Sequence, residues 1–415
     1  MNERVEKMKA TKLAAIMLSG AVLLTLMPSV TSGQFYEACY HFLGDYPSQV
    51  GEDWTRECQG LAHDASHWFI SLNNAAGMGV DPHPQVWKVP VTQDLATLTG
   101  DTSGIPKVFI GDIPALAGYD HCGDPDYYEY QGTGYLLLPV NVGASKALAV
   151  FNGSNLSYVG VAGLAPGTGA AWCAVDRASP EAFVYMPYDF SGSNGIAKHK
   201  LTWADLPSAV TLTLEDTFYV YDEYGVTLQL PYDQGGEFTP SGELLYMVTG
   251  ICNPDSGDPD PDEEGIHVFD TRTWQRIRHS TRCAGHFNYC YDPYGADSEE
   301  PEGITIWDLD GAGAPGISGQ VHVVLLDNDE YDYDDVYIKH YTGYGDIYVN
   351  GLYPGPEEDG TPAHPFRTVT AGINEAWNGA VLHVQATCYP ETLICTKRME
   401  IIAEGGTVLI GTCSP

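Results

Sequence analysis

Acidic side chains dominate what this chain could do chemically. Gln59, His121, Ala171, Gly235 and Glu302 each open a short apolar segment, and His63, Asp64, Asp124, Asp126, Asp176 and Glu237 follow within a few residues. Brought together, these groups would supply oxygen ligands for a hard cation, which takes six to eight including carbonyls and water. An open coordination position on such a cation would activate a water for hydrolysis. The competing reading is structural, with these polar groups capping loops and satisfying backbone. The hydrolytic reading requires Gln59, His121, Asp176 and Glu302 to converge.

Three acidic runs offer further cation ligands. The densest spans Asp327 to Asp335 and contains Asp329, Asp332 and Asp334. It is not an EF-hand loop, which needs Gly at position six and Glu at position twelve, where this chain has Asp332 and Ile338. Asp255–Glu264 is interrupted by prolines, and Asp308-Leu309-Asp310-Gly311 is shorter. Calcium is the expected cofactor, with Asp308, Asp310, Asp327, Asp329, Asp332 and Asp334 as its ligands. No catalytic residue is assigned: the chain has no G-x-S-x-G elbow, no H-E-x-x-H helix and no phosphate-binding G-x-x-x-x-G-K-[ST] loop. The 27 tyrosines, several beside acidic segments, suit contacts with sugars or peptides.

These groups sit on a repeating frame. The five opening segments start 62, 50, 64 and 67 residues apart. Each is followed by a strongly apolar strand (HWFISL, GYLLLPV, AFVYMPY, ELLYMVT, QVHVVLL) and then a third (VWKVPV, ALAVFN, IAKHKL, GIHVFD, VYIKHY). Repetition at this scale points to stacked or radially arranged sheets. The expectation is an all-β, five- or six-bladed β-propeller, favoured over an open β-sandwich. DLATLTG, SYVGVAG, VTLTLED and WQRIRHS read as fourth strands, and FYEACYHF near the N-terminus would supply the missing one and close the ring. The extra stretch Phe218–Leu230 leaves a sixth blade open.

Two family resemblances follow. The Glu302-Gly303 opening of EGITIW resembles the phytase-like and gluconolactonase-like calcium-dependent propellers, which implies Glu302 as an inner cation ligand. From residue 346 the segment DIYVNG, the Phe366–Thr368 motif, the Val369–Trp377 helix, Val381–Val384, Tyr389–Glu391 and Glu404–Ile410 resemble the N-terminal cap and first coil of a pectin-lyase-like right-handed parallel β-helix. That match covers about the last 70 residues, too few coils for the family's catalytic cleft. The expected organisation is therefore a signal peptide over 1–33, a propeller over 34–345 and a short β-helix-like cap over 346–415.

Export is read from Arg4, Lys7, Lys9 and Lys12 ahead of an apolar Leu13–Met27, with small residues Val30 and Ser32 before a cleavage point. The product is expected to be secreted, extracellular or periplasmic, monomeric and without a membrane span after cleavage. All ten cysteines follow this segment and none forms a CxxC pair, which fits disulfides; Cys39–Cys58, Cys283–Cys290 and a pairing among Cys388, Cys395 and Cys413 are expected by proximity. The net charge is −36, and removing a leader with four basic and two acidic residues makes it −38. Such a surface repels nucleic acid. The leading functional reading is a calcium-dependent extracellular binding protein for a glycan, peptide or small ester. The alternatives are a metal-dependent hydrolase of the phytase-like or lactonase-like kind and a structural surface protein.

Overall fold

The computed structural model of the chain describes residues 36–412, apart from 38–40, 49, 74–83, 190–193, 204–209, 223, 231, 251–264, 280–297, 311, 329–333, 343–346, 357, 359, 361, 363–364, 377–380 and 396–398. The expected signal segment, residues 1–33, lies outside the described residues. No helix among those described is long and apolar enough to cross a membrane.

Five antiparallel sheets are arranged as a β-propeller. Blade 1 consists of Cys58–His63, His67–Leu72, Gln85–Pro90 and Lys107–Phe109, and blade 3 of Ala174–Val175, Phe183–Asp189, Asn194–Trp203 and Val210–Phe218. Blade 4 runs Asp233–Phe238, Leu244–Thr249, Gly265–Asp270 and Gln275–His279, with Tyr36–Glu37 added in parallel at its rim. The second strand of each blade is an unbroken apolar run because neighbouring blades cover both of its faces: Leu244–Thr249 is buried at all six positions. The core accordingly lies in the seams, where for example Trp68 and Trp87 of blade 1 meet Val324 of strand Val321–Asn328 and Ile338 of strand Asp335–Thr342 in the neighbouring sheet.

The inner strand of blade 2 is split into His121–Cys122 and Asp126–Tyr130, both paired with Thr133–Val142. Between them, Gly123-Asp124-Pro125 leaves its own sheet. Asp124 donates its N–H to Ala171 O (2.8 Å) and accepts from Cys173 N–H (3.2 Å). This detour carries the Asp124 side chain onto the propeller axis.

The ring is closed by the N-terminal segment. His41–Asp45 pairs antiparallel with Asp335–Thr342 and completes blade 5 outside Ser298–Ile306 and Val321–Asn328. Asp45 receives the buried Lys339 ammonium at 3.0 Å, and Tyr46 O accepts from His340 at 2.6 Å. The N-terminal segment thus completes blade 5, but through His41–Asp45, which shares only His41 and Phe42 with the expected FYEACYHF; Tyr36–Glu37 pairs with blade 4 instead. Two further strand assignments differ. DLATLTG forms a 3-10 turn over Leu95–Thr97, because Asp94 caps it by accepting from Ala96 N–H; the fourth strand of blade 1 is Lys107–Phe109 instead. Phe218–Leu230 makes no sixth blade: Tyr221 pairs with Thr227 in a small hairpin and bridges to Gln275.

The C-terminal segment is parallel. Ile347–Val349, Val381–Gln385 and Glu400–Glu404 form one three-stranded parallel sheet, and Cys388–Tyr389 with Leu409–Ile410 a second. Helix Val369–Glu375 is capped by Thr368, which accepts from Ala371 N–H, while Glu391 accepts from the N–H groups of Val369 and Thr370. Its apolar face joins Leu382, Val384 and Tyr389 in a cluster continuous with the seam between blades 4 and 5.

Candidate active site at the upstream mouth

Inner strands run the same way along the axis, so the channel has an upstream mouth, where they begin, and a downstream mouth, where they end. Between the two, the axis is filled. The Asp124 carboxylate accepts N–H donors from three inner strands: Leu61 at 3.0 Å, Gly236 at 3.2 Å and Ile304 at 3.3 Å. Gly60 and Gly303 make room for it; a methyl group on Gly303 would lie 2.5 Å from the Gly60 Cα and 2.6 Å from Asp124 Oδ1. Burial holds the Asp124 carboxyl well above the usual carboxylate range, with the Ile304 N–H opposing.

At the downstream mouth the charged groups are mutually compensated. Arg177 donates through Nη2 to Asp126 and through Nη1 to Glu237 at 2.8 Å, and also to Tyr127 O. Glu237 further accepts from Thr305 Oγ1 (2.7 Å) and Ile306 N–H (3.1 Å). Burial pushes Asp126 up to about 7, the Arg177 guanidinium working against it. His63 stacks on Trp307 at 4.5 Å, with its ring nitrogens 3.0 Å from Asp64 O and Ile306 O. Burial lowers its pKa. Asp64 serves the turn, accepting from Ser66 N–H and His67 N–H at 2.7 Å each.

The upstream mouth is different. Its carboxyls face one another. Glu302, buried, is hydrogen-bonded to Glu300, and the Gln234 amide donates to both at 3.3 Å. Burial first, then the bond to and charge of Glu300, with Glu57 and Asp124 adding, hold Glu302 well above the ordinary carboxylate range. Glu57 is half-buried and adopts a left-handed backbone (φ 47°). That conformation is uncommon outside glycine and persists only where the surroundings enforce it. Here Asp334 Oδ2 accepts the Glu57 N–H at 2.7 Å, while the Glu57 carbonyl accepts from Asn73 N–H at 2.9 Å. Burial, then Asp334 and Glu300, push the Glu57 carboxyl up to about 7.

A cleft of about 310 Å³ opens beside the starts of the inner strands of blades 2 to 4, lined by His121, Asn141, Lys146, Tyr188, Asp189 and Asp233 among others; Glu57, Glu300 and Glu302 do not line it. Burial drives Asp233 up to about 7. Burial lowers His121.

The expected set is thus divided among several places. Glu302 and His121 belong to the upstream mouth, Asp124 to the axis, and His63, Asp64 and Glu237 to the downstream mouth. Gln59 is a buried strand residue. Asp176 caps a downstream turn by accepting from Ala178 N–H at 3.0 Å. The convergence of Gln59, His121, Asp176 and Glu302 is therefore not observed. Asp308 and Asp310 accept from Asp310 N–H, Gly319 N–H and the Gln320 amide, so their oxygens are turned inward to their own loop. Asp327 and Asp334 are buried at the two ends of their run, while Asp329 and Asp332 lie outside the described residues. Among the described residues no group of three or more His, Cys, Asp or Glu is arranged to hold a metal ion. Cys58 is a buried thiol, not a partner of Cys39; Cys122 and Cys173 are buried thiols too, and Cys388 is disulfide-bonded. Cys283, Cys290 and Cys413 lie outside the described residues.

Sequence reasoning missed Glu57, Glu300, Asp233 and Arg177. The first three directly precede or begin the inner strands, so the positions just upstream of each repeat carried the signal.

No known protein-family profile matches the chain, and no curated protein matches it in sequence. Among solved structures, the chain is similar to the catalytic domain of the Coprinopsis cinerea family 62 α-L-arabinofuranosidase (8% identity, TM-score 0.43, 74% of this chain and 98% of that one). It is also similar to a family 43 β-xylosidase/α-arabinofuranosidase from a compost microbial metagenome (11%, 0.39, 72% and 94%). A third is the α-L-arabinanase of Cellvibrio cellulosa (13%, 0.36, 70% and 91%). Likeness of this degree concerns chain trace alone; five blades are established by the strand pairings of the chain itself.

Proposed function

We propose that the chain is an exported hydrolase that cleaves glycosidic bonds at its upstream mouth by carboxyl acid–base chemistry. The observation that carries this reading is Glu57: a carboxyl raised to about 7, on a left-handed residue pinned from both sides, facing Asp334 and Glu300. Groups whose surroundings set their protonation apart are the signature of an acid–base pair. Glycoside hydrolysis needs one carboxylic acid to protonate the leaving oxygen and a second carboxylate to act on the opposite face, as a base toward water or as a nucleophile. Glu57, half-exposed and still protonated near neutrality, is the acid. Glu300 supplies the second carboxyl, and the buried Glu302 shares its proton with it. The adjoining cleft, with amide, carboxyl, ammonium and tyrosine groups, is where a sugar would be held.

The test is release of reducing ends from a panel of neutral polysaccharides and aryl glycosides by the chain and by Glu57→Gln. Turnover that is lost in the variant, with a wild-type pH profile falling above about 7, is the expected result. Absence of turnover across the panel, or turnover indifferent to Glu57, would sink the proposal.

A second reading, calcium-dependent ligand binding, is favoured by the buried Asp327 and Asp334 flanking the acidic run. Its phytase-like or lactonase-like variant would place a cation at Glu302. Calcium titration of chelator-treated protein separates the readings: a raised melting temperature together with calcium-dependent turnover or binding supports the cation, and chelator-resistant turnover supports the acid–base mechanism.

A further inference from the structure

We infer that the cleft bounded by His121, Lys146 and Asp233 is a subsite for a single uronic-acid unit carried on an otherwise neutral glycan. This rests on the glycosidase reading of the upstream mouth and adds the class of substrate. Strand register builds one wall of the cleft. His121 pairs with Asn141, and Asn141 with Lys146 of Ser145–Asn152. Directly opposed residues share a face of the sheet, so an imidazole, an amide and an ammonium stand in one row across three neighbouring strands. All three line the cleft, together with Tyr188, Asp189 and Asp233. Its volume of about 310 Å³ is at the lower end of ligand sites and suits about one sugar ring.

The ammonium in that row is unclaimed. Lys88 is paired with Asp64, Lys200 with Glu181 and Lys339 with Asp45. Lys107 and Lys198 lie over the rings of Trp87 and Phe183. Among the described lysines, Lys146 alone has neither an ion pair nor an aromatic face, in a chain with 55 acidic residues. The groups around it select the ligand. Burial outweighs the nearby Lys146 charge and keeps a proton on Asp233 up to about 7, so below that pH Asp233 donates to a carboxylate instead of repelling it. Asn141 adds amide protons to the same wall. Asp189 is exposed and accepts, which suits sugar hydroxyls. A carboxylate and several hydroxyls on one ring is the pattern of a uronic acid.

Whole-molecule charge restricts how that unit is carried. At −36 the chain repels a polyuronate at long range, whereas an isolated carboxylate meets the local ammonium with little opposing repulsion. The cleft is also placed beside the reacting carboxyls. Asp233 immediately precedes Gln234, whose amide donates to Glu300 and Glu302 at 3.3 Å. None of Glu57, Glu300 and Glu302 lines the cleft itself. A sugar held by Lys146 therefore lies next to the bond that is cut and is not the unit being attacked. It is a flanking or branching residue, and it governs specificity.

The probes are methyl glucuronide, its uncharged methyl ester and polygalacturonate, titrated calorimetrically into the chain at pH 6. The glucuronide should bind about tenfold more tightly than the ester, the weight of one charge-assisted hydrogen bond. At low salt, polygalacturonate should bind less tightly per sugar than the monomer. Lys146→Met should abolish the preference for the acid, and Lys146→Arg should keep part of it. Glu57→Gln should retain the preference while losing turnover. On glucuronic-acid-substituted xylan, compared with the same polymer after carboxyl reduction, Lys146→Met should act through KM more than kcat and lower the acid-to-neutral ratio of kcat/KM about tenfold. Equal binding of glucuronide and ester, or a preference that survives Lys146→Met, overturns the subsite even where the chain cleaves glycans. A Lys146-dependent preference without turnover on any polymer supports the subsite and removes the glycosidase reading instead.

Discussion

The two mouths of the propeller are built from the same strands and the same kinds of side chain, yet they handle charge in opposite ways. Downstream, Asp126 and Glu237 share one guanidinium and a set of N–H and O–H donors. Upstream, burial and neighbouring carboxyls raise Glu57 and Glu302, and the donor shared by Glu300 and Glu302 is the neutral Gln234 amide. A buried carboxylate with its cation is a structural element; breaking such a pair leaves an uncompensated charge. Carboxyls left facing each other hold protons near neutrality and are poised to transfer them. Burial alone does not separate the cases, since Glu237 and Glu302 are both buried. The partner does.

Exchanging roles between the mouths would break this comparison. The largest effect is expected from Glu57→Gln, which should lower glycosidase turnover on the order of 100- to 10,000-fold while leaving the denaturant midpoint nearly unchanged. Arg177→Ala should do the reverse: a loss of about 3 kcal/mol in chemical unfolding, with turnover per folded molecule retained. Equal activity losses in both variants would erase the distinction.

Gly303→Ala probes the layer separating the mouths. Its new methyl would meet backbone at Gly60 and the Asp124 carboxylate, and the expected cost is about 2 kcal/mol, read as a lower melting temperature. A neutral result would mean the axis is looser than described.

The pH dependence sharpens the comparison more gently. Glu57 and Asp233 are raised to about 7 from ordinary values of 4.5 and 3.8. The folded chain keeps protons that the unfolded chain releases near pH 4. Stability from these groups is fully present below that pH and is lost as pH rises through about 7. The melting temperature should therefore fall by a few degrees between pH 5 and pH 8, and Glu57→Gln should flatten part of that slope. A rise over the same range would contradict the assignment. The smallest effect on stability is expected from Glu57→Gly, which relieves the left-handed backbone and should stabilise the fold by about 1 kcal/mol even as turnover disappears.

Much of the frame was legible in the residues. The second strands are continuous apolar runs that a doubly covered position explains, and all five apolar segments read from the sequence form strands. The fourth strand of blade 1 was misplaced because apolar Leu95 and Leu98 anchor a capped turn and imitate a strand. The phenylalanine- and tyrosine-rich Phe218–Leu230 reads as strands by composition, but nothing follows it to form a sheet. For the site, the reading selected the leading residues of the repeats, whereas Glu57 directly precedes its inner strand and Glu300 lies on its own, two residues ahead of Glu302. Their distinguishing properties, a left-handed φ and the proximity of other carboxyls, arise only when segments some 240 residues apart meet. Arg177 was passed over because one cation among 55 acidic residues has no local pattern.

Asp124 has one more effect. By knotting three inner strands around a carboxylate, it turns the propeller's axis into a cul-de-sac. A polymer cannot be threaded through this molecule, nor can a product be passed out behind. Whatever enters the upstream mouth must leave by the same door, so an extended substrate would have to lie across the face like a beam on a hub, and cleavage would release both halves sideways.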